Sequence, residues 1–129
     1  MVRINARAAI AAGLLALGST SALAAIPAGH AAHGAVVFHQ CQLCHVITAG
    51  QNRVGPSLHG VVGRHSGIVP GYTYSSANKN SGIVWTEDKL FAYLENPRAY
   101  VPGTKMSFAG LKNPQDRADV IAYLKTAAK

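Results

Sequence analysis

Acidic residues are scarce in this chain of 129 residues, with five Asp/Glu against twelve Lys/Arg. That imbalance turns a molecule towards nucleic acid, an anionic membrane or an acidic protein face. Cysteine is scarcer still, with only Cys41 and Cys44 present. No second pair exists, so a structural zinc site, which needs four ligands, finds at most three in Cys41, Cys44 and His45. No stretch sustains a strand period, which removes the βαβ setting that a thioredoxin-like C-x-x-C pair requires. Nor does any apolar run reach the roughly 20 residues that span a bilayer. Internal repeats, interdomain linkers and low-complexity tracts beyond the first 24 residues are also lacking.

The first segment, "MVRINARAAIAAGLLALGSTSALAA", carries Arg3 and Arg7 ahead of an uncharged Ala/Leu-rich run from Ala8 to Leu17, then ends in Ala22-Leu23-Ala24. This is the pattern of a cleavable secretory signal peptide. Residues 1–24 are expected to be removed, with cleavage after Ala25 the alternative, leaving residues 25–129 as a single domain. That domain holds ten Lys/Arg (twelve less Arg3 and Arg7) against five Asp/Glu, a formal charge of about +5. Export argues against nucleic acid as the partner, and stable membrane insertion after cleavage is not expected.

Three helices are predicted. The first runs from about Ala28 to Gln40, with Ala31, Ala35 and Phe38 at helical spacing. The second follows Thr86 as N-cap, with Glu87 and Asp88 in its first turn, where negative charge suits the helix dipole. It places Leu90, Tyr93 and Leu94 on one side and stops before Pro97, because the residue ahead of a proline is pushed out of the helical region. The third opens with Asn113 as N-cap and Pro114 at the first helical position, and Val120, Tyr123 and Leu124 make its apolar stripe. Between His45 and Trp85 lie about forty Gly- and Pro-rich residues without a period. Loops this long are uncommon in small domains. Three short helices around them lack a core of their own.

The cysteines stand in "CQLCH", the spacing of c-type haem attachment. Two thiols separated by two residues can add to the two vinyl groups of one porphyrin as thioethers, and the next residue then lies below the iron. His45 is thus the expected proximal ligand. A covalently attached haem also supplies the missing core. A bridge between Cys41 and Cys44 is the competing reading in an exported chain.

The second axial position separates a carrier from an enzyme, because an open site binds peroxide or small gases and a protein ligand closes it. Beyond the signal there is one methionine, Met106, in the irregular stretch "VPGTKMSFAG". A lone methionine is ordinarily a gap-filler in a core, but this one lies on no predicted helix. His30, His33, His39, His59 and His65 compete. His39 is too near the attachment site to reach the opposite face, His30 and His33 read as solvated side chains on the first helix, and His59 and His65 read as loop residues bonded to backbone.

The segments "CQLCH", "VGPSLHGVVGR", "GYTYSSANKN", "GIVWTEDKLFAYLENPRAYVPGTKM" and "RADVIAYLK" closely resemble class I cytochrome c, of the mitochondrial cytochrome c and bacterial cytochrome c2 branch. The resemblance runs from about Gly34 to Lys125. It implies an all-α cytochrome c fold, three main helices plus long loops wrapped around one covalently attached haem c. It makes Met106 the axial methionine, with Lys105 resembling the lysine that replaces methionine at alkaline pH. Pro56 matches the proline whose carbonyl accepts a hydrogen bond from the ligand imidazole. Arg64, Tyr74, Asn78 and Trp85 match the set around the haem propionates, Tyr93 and Thr104 the hydrogen-bonded pair on the methionine side, and Gly34, Phe38 and Tyr123 the crossing of the first and last helices.

Two differences accompany the likeness. The segment before Cys41 and the loop from His45 to Gly55 each look about one residue shorter than in animal mitochondrial proteins, which points to a bacterial periplasmic member. Gln40 and Ala99 stand where lysines are common, while Arg53 and Arg98 keep the charge. The function implied is a monomeric one-electron shuttle without enzymatic activity. Its expected partners are redox proteins with acidic docking faces, such as a bc1-type complex, a terminal oxidase or a photosynthetic reaction centre. The alternatives are a haem-relay subunit of a larger dehydrogenase or oxidase complex and a small haem peroxidase.

Overall fold

Helix formation is decided at the caps. In the computed structural model, which describes residues 25–129, the helices are α1 (Ala31–Phe38), α2 (Ser76–Lys79), α3 (Glu87–Glu95), α4 (Pro97–Tyr100) and α5 (Pro114–Ala127). The expected signal peptide, residues 1–24, lies outside the described residues. Asn113 caps α5 as its sequence suggests, its side chain accepting from the Gln115 N–H at 2.9 Å, with Pro114 following. Thr86 holds the N-cap position of α3 but its side chain accepts no capping bond; its hydroxyl donates to the Asp88 carboxylate. Helix α1 begins three residues later than predicted. His30 is extended there, and its backbone N–H is taken by Asp119 Oδ1 at 2.7 Å, which holds the chain out of the helix.

The long Gly- and Pro-rich stretch contains α2, a single turn capped by Ser75, and α4 follows α3 directly, capped by Asn96 with Pro97 in its first turn. Neither was predicted, since four residues carry no period to read. Among the described residues there is no strand, only one isolated antiparallel bridge between His65 and Val84. No described helix is long and apolar enough to cross a membrane.

Helix α1 crosses α5, and α3 packs on α5 beside it. The buried face of α1 is Gly34, Val37 and Phe38 rather than the predicted Ala31, Ala35 and Phe38. A Cβ at Gly34 would be driven into the Asp119 carbonyl of α5, so the close crossing requires glycine. Phe38 lies against Tyr123 with ring centroids 5.1 Å apart. From α3, Leu90, Tyr93 and Leu94 are buried as expected. They meet Val120, Ile121 and Leu124 of α5 in one cluster with Trp85, Val61 and Leu111. Arg117 is buried under the Phe91 ring at the α3/α5 seam; its Nη1 donates to the Leu111 carbonyl at 2.7 Å and its Nη2 lies 3.8 Å from the Glu95 carboxylate, while its Nε has no partner.

Candidate functional site

The loops and helices enclose a cavity of about 410 Å³, and every expected site residue lines it. One wall begins where α1 ends. The chain continues in turns, with the Cys41 N–H donating to the Phe38 carbonyl at 2.8 Å and the His45 N–H to the Cys41 carbonyl at 2.9 Å. These turns set Cys41, Cys44 and His45 side by side on the cavity. The two cysteines are not bridged to each other. Burial, with Cys44 alongside, pushes the Cys41 thiol up to about 11.

His45 is oriented by its neighbours. Its Nδ1 donates to the Pro56 carbonyl at 2.7 Å, as a carbonyl can only accept, which leaves Nε2 with the lone pair. Burial lowers its pKa and outweighs the opposing pull of that bond, with the Arg64 charge acting in the same direction as burial. The ring is therefore neutral at pH 7, the form in which imidazole serves as a metal ligand. Gly55 makes the close fit possible: a Cβ there would collide with the His45 ring. The Gly55 N–H donates to the Cys44 carbonyl at 2.9 Å, fastening this wall to the cysteine turn.

Met106 lies on the same cavity, in the irregular stretch after α4. The Tyr93 hydroxyl of α3 donates to Met106 Sδ at 3.0 Å, and the Met106 backbone N–H donates to Thr104 Oγ1 at 3.2 Å, so the thioether is held by one bond and its backbone by another. Burial pushes the Tyr93 hydroxyl up to about 12, with the Thr104 side chain pulling the other way, and it stays a donor throughout the neutral range. The Tyr93 ring packs against Trp85, centroids 4.6 Å apart.

Arg64, Tyr74 and Asn78 stand along the cavity between the two loops. Arg64 donates one Nη1 hydrogen bond to the His59 carbonyl, while its Nε is buried with no partner. Burial lowers the Arg64 pKa, with nearby Tyr74 opposing, and burial raises that of Tyr74. Asn78 Oδ1 accepts from Ser75 Oγ at 2.9 Å, and its backbone carbonyl accepts from Ser66 Oγ at 3.0 Å.

The competing histidines fall elsewhere. His30 and His33 are exposed, but each brings Nδ1 to the buried Asp119 carboxylate, at 3.3 and 2.8 Å. Among them only His65 lines the cavity, and it is exposed. Sequence reasoning missed the residues that join the loops. Asn52 accepts from the Ser57 N–H at 3.0 Å and donates to the Pro70 carbonyl at 2.9 Å. The Tyr72 hydroxyl donates to the Val54 carbonyl at 3.0 Å, and Lys105 Nζ to the Thr73 carbonyl at 2.6 Å. Asn in a Gly/Pro-rich loop is a signal of such backbone bonding, but it does not name the partner.

These residues fit a haem. The cavity is walled by apolar side chains such as Leu58, Val61, Leu94 and Phe108, a neutral imidazole and a thioether share it, and the buried Arg64 Nε is a donor suited to an anionic group. The family model for cytochrome c matches residues 31–128. The chain belongs to the cytochrome c family. It is 60% identical over 101 residues to cytochrome c2 of Rhodopila globiformis, covering 78% of this chain and 95% of that protein. It is 53% identical over 105 residues to cytochrome c type-1 of Ascaris suum, covering 81% and 94%. Cytochrome cH from Methylobacterium extorquens matches in structure with a TM-score of 0.72 and 45% identity, covering 76% of this chain and 99% of that one. The all-α cytochrome c fold and class I membership are thereby shown. The cofactor of this cytochrome is one covalently bound haem c, whose attachment motif Cys41 and Cys44 fit, and the molecule is an electron carrier.

Proposed function

We propose that this cytochrome is an exported, monomeric one-electron shuttle of the bacterial periplasm, working within a respiratory or photosynthetic chain. Cys41 and Cys44 would attach the haem as thioethers, and His45 and Met106 would hold its iron. The observation that carries this reading is that an imidazole and a thioether line one cavity, each already held by a second group: His45 by the Pro56 carbonyl and Met106 by the Tyr93 hydroxyl. When bound, haem supplies a one-electron ferrous/ferric couple.

Around that couple the protein's task is to hold still. Pro56 fixes the imidazole ring and raises its basicity. Tyr93 and Thr104 keep Met106 in place, where it would close the iron to small molecules. Arg64, Tyr74, Asn78 and Trp85 offer donors to the propionates, which offsets the cost of holding carboxylates in an apolar pocket. The partners are redox proteins with acidic docking faces, of the bc1-complex, terminal-oxidase or reaction-centre kind, met in brief encounters across small interfaces.

The test is an absorption spectrum of the haem-loaded protein in both oxidation states. The weak red band of methionine sulfur on ferric iron is expected at neutral pH and is lost in Met106→Ala. A wild-type ferric spectrum without that band removes Met106 from the axial position and reopens the site to substrate.

A further inference from the structure

The carbonyl that orients His45 belongs to a peptide group that is also held at its other end. The Pro56 oxygen accepts from His45 Nδ1 at 2.7 Å. The same peptide group carries the Ser57 N–H, which donates to Asn52 Oδ1 at 3.0 Å. Oxygen and N–H point opposite ways across a planar trans unit. Asn52 and His45 therefore stand on its two sides, joined by one run of hydrogen bonds through a conjugated amide. The orientation of the Asn52 side chain follows from its partners: its NH2 faces the Pro70 carbonyl at 2.9 Å, which can only accept, so its oxygen faces Ser57.

Other bonds locate this segment. The Gly55 N–H donates to the Cys44 carbonyl at 2.9 Å and the Leu58 N–H to the Val46 carbonyl at 2.8 Å. Ser57 Oγ donates to the Thr48 carbonyl at 2.7 Å and accepts from the His59 N–H at 3.1 Å. Asn52 alone reaches the N–H of the peptide group whose oxygen holds the ring. Ser57 is 2% exposed, so water does not compete there. Out of water, hydrogen bonds in series polarise one another. An acceptor at the Ser57 N–H moves electron density towards the Pro56 oxygen and makes it a stronger acceptor for Nδ1–H.

We propose that Asn52 is a positioning residue that acts on His45 through the Pro56–Ser57 peptide group, setting how strongly Pro56 draws on Nδ1–H and so how much electron density Nε2 has to give to iron. This rests on the reading of His45 as an axial ligand. A residue that makes no hydrogen bond to the ring thereby tunes the reduction potential. The better the acceptor at position 52, the more basic the imidazole and the lower the potential.

The experiment is proton NMR of the haem-loaded ferrous protein with 15N-labelled histidine, alongside a potentiometric titration. The His45 Nδ1–H resonance moves downfield as its hydrogen bond strengthens. Asn52→Ala is expected to move it upfield and to raise the potential. Asn52→Asp puts a carboxylate, ionised at neutral pH and a stronger acceptor, in the same place, and is expected to move the resonance downfield and lower the potential. Both variants lose the bond to Pro70, so a merely structural role moves the resonance the same way in both. Tyr72→Phe deletes the bond from its hydroxyl to the Val54 carbonyl at 3.0 Å and leaves the peptide group untouched; its resonance is expected to match wild type. A resonance unmoved in either folded variant at position 52, or displaced in one direction by both, overturns this assignment alone, and Asn52→Asp decides by itself should alanine not fold. A shift in Tyr72→Phe as large as that in Asn52→Ala also overturns it. Wild-type His45 ring protons without the strong upfield displacement that a porphyrin face imposes on its axial ligand overturn the ligand reading, and the role of Asn52 with it.

Discussion

Removing the Asn52 side chain should loosen the two loops that wrap the haem, and the structure sets the size of the effect. Asn52 joins the loop that carries Pro56 to the loop that carries Tyr74. It accepts from the Ser57 N–H at 3.0 Å and donates to the Pro70 carbonyl at 2.9 Å. The two bonds are not equivalent. Ser57 is 2% exposed, so in Asn52→Ala its N–H is left buried without an acceptor, at a cost of about 1–3 kcal/mol. The Pro70 carbonyl is at the surface and regains water at little cost. A loss of about 2 kcal/mol in a domain of this size lowers Tm by about 8–16 °C. Asn52→Asp keeps an acceptor for Ser57 and gives up only the exposed bond, so its loss should be about 1 kcal/mol or less. Guanidinium unfolding of the haem-loaded protein, followed by Trp85 fluorescence and far-UV circular dichroism, reads both variants at constant m. An Asn52→Ala variant within 0.5 kcal/mol of wild type, on the scale of surface substitutions, or an Asn52→Asp variant that loses as much as alanine, would refute the reasoning.

Two further outcomes follow from hydrogen bonds to single atoms. Burial works against ionisation of Asp119, but bonds from the His30 backbone, Gln115, His33 and the His30 ring outweigh it and hold the carboxyl at about 2, below its ordinary 3.8. A depressed carboxylate pKa contributes stability that is complete above the unfolded value and lost as pH falls from about 4 towards 2. The gap in unfolding midpoint between wild type and Asp119→Asn should therefore narrow over that window; a gap that stays constant removes the ionised form from the account. Tyr93→Phe keeps the stacking on Trp85 but deletes the donor 3.0 Å from Met106 Sδ. With Met106 holding the iron as proposed, the sulfur would give it more electron density without that bond, so the reduction potential should fall in a potentiometric titration while stability changes by about 1 kcal/mol or less; an unmoved potential contradicts the role given to the hydroxyl.

What could be read from the sequence was whatever a local rule determines. Asn113-Pro114 is such a case, since a cap and a proline at the next position specify a helix start without reference to the rest of the chain, and α5 begins there. The cysteine motif is another, because covalent attachment demands fixed spacing. Thr86 shows the limit: its position was legible, but its hydroxyl had a second partner two residues away and took that one. The start of α1 depended on Asp119, 89 residues from His30 along the chain, and no window of sequence contains both. The two four-residue helices were invisible for the opposite reason, being too short to have a period.

The same distinction divides the site. Met106 is the one methionine beyond the signal and His45 is singled out by the cysteine motif, and both signals are visible in a sequence. The groups that hold them are common residues whose role comes only from where the chain returns. Gly55 matters because the His45 ring lies against it, whereas Pro56, whose carbonyl faces Nδ1, was legible only through the family resemblance. Asn52 matters because a buried N–H and a distant carbonyl both reach its amide. In an electron carrier this second set holds the residues around the cofactor in place. The motif therefore specifies which cofactor is bound, while the loops bring back the residues that hold its surroundings in place.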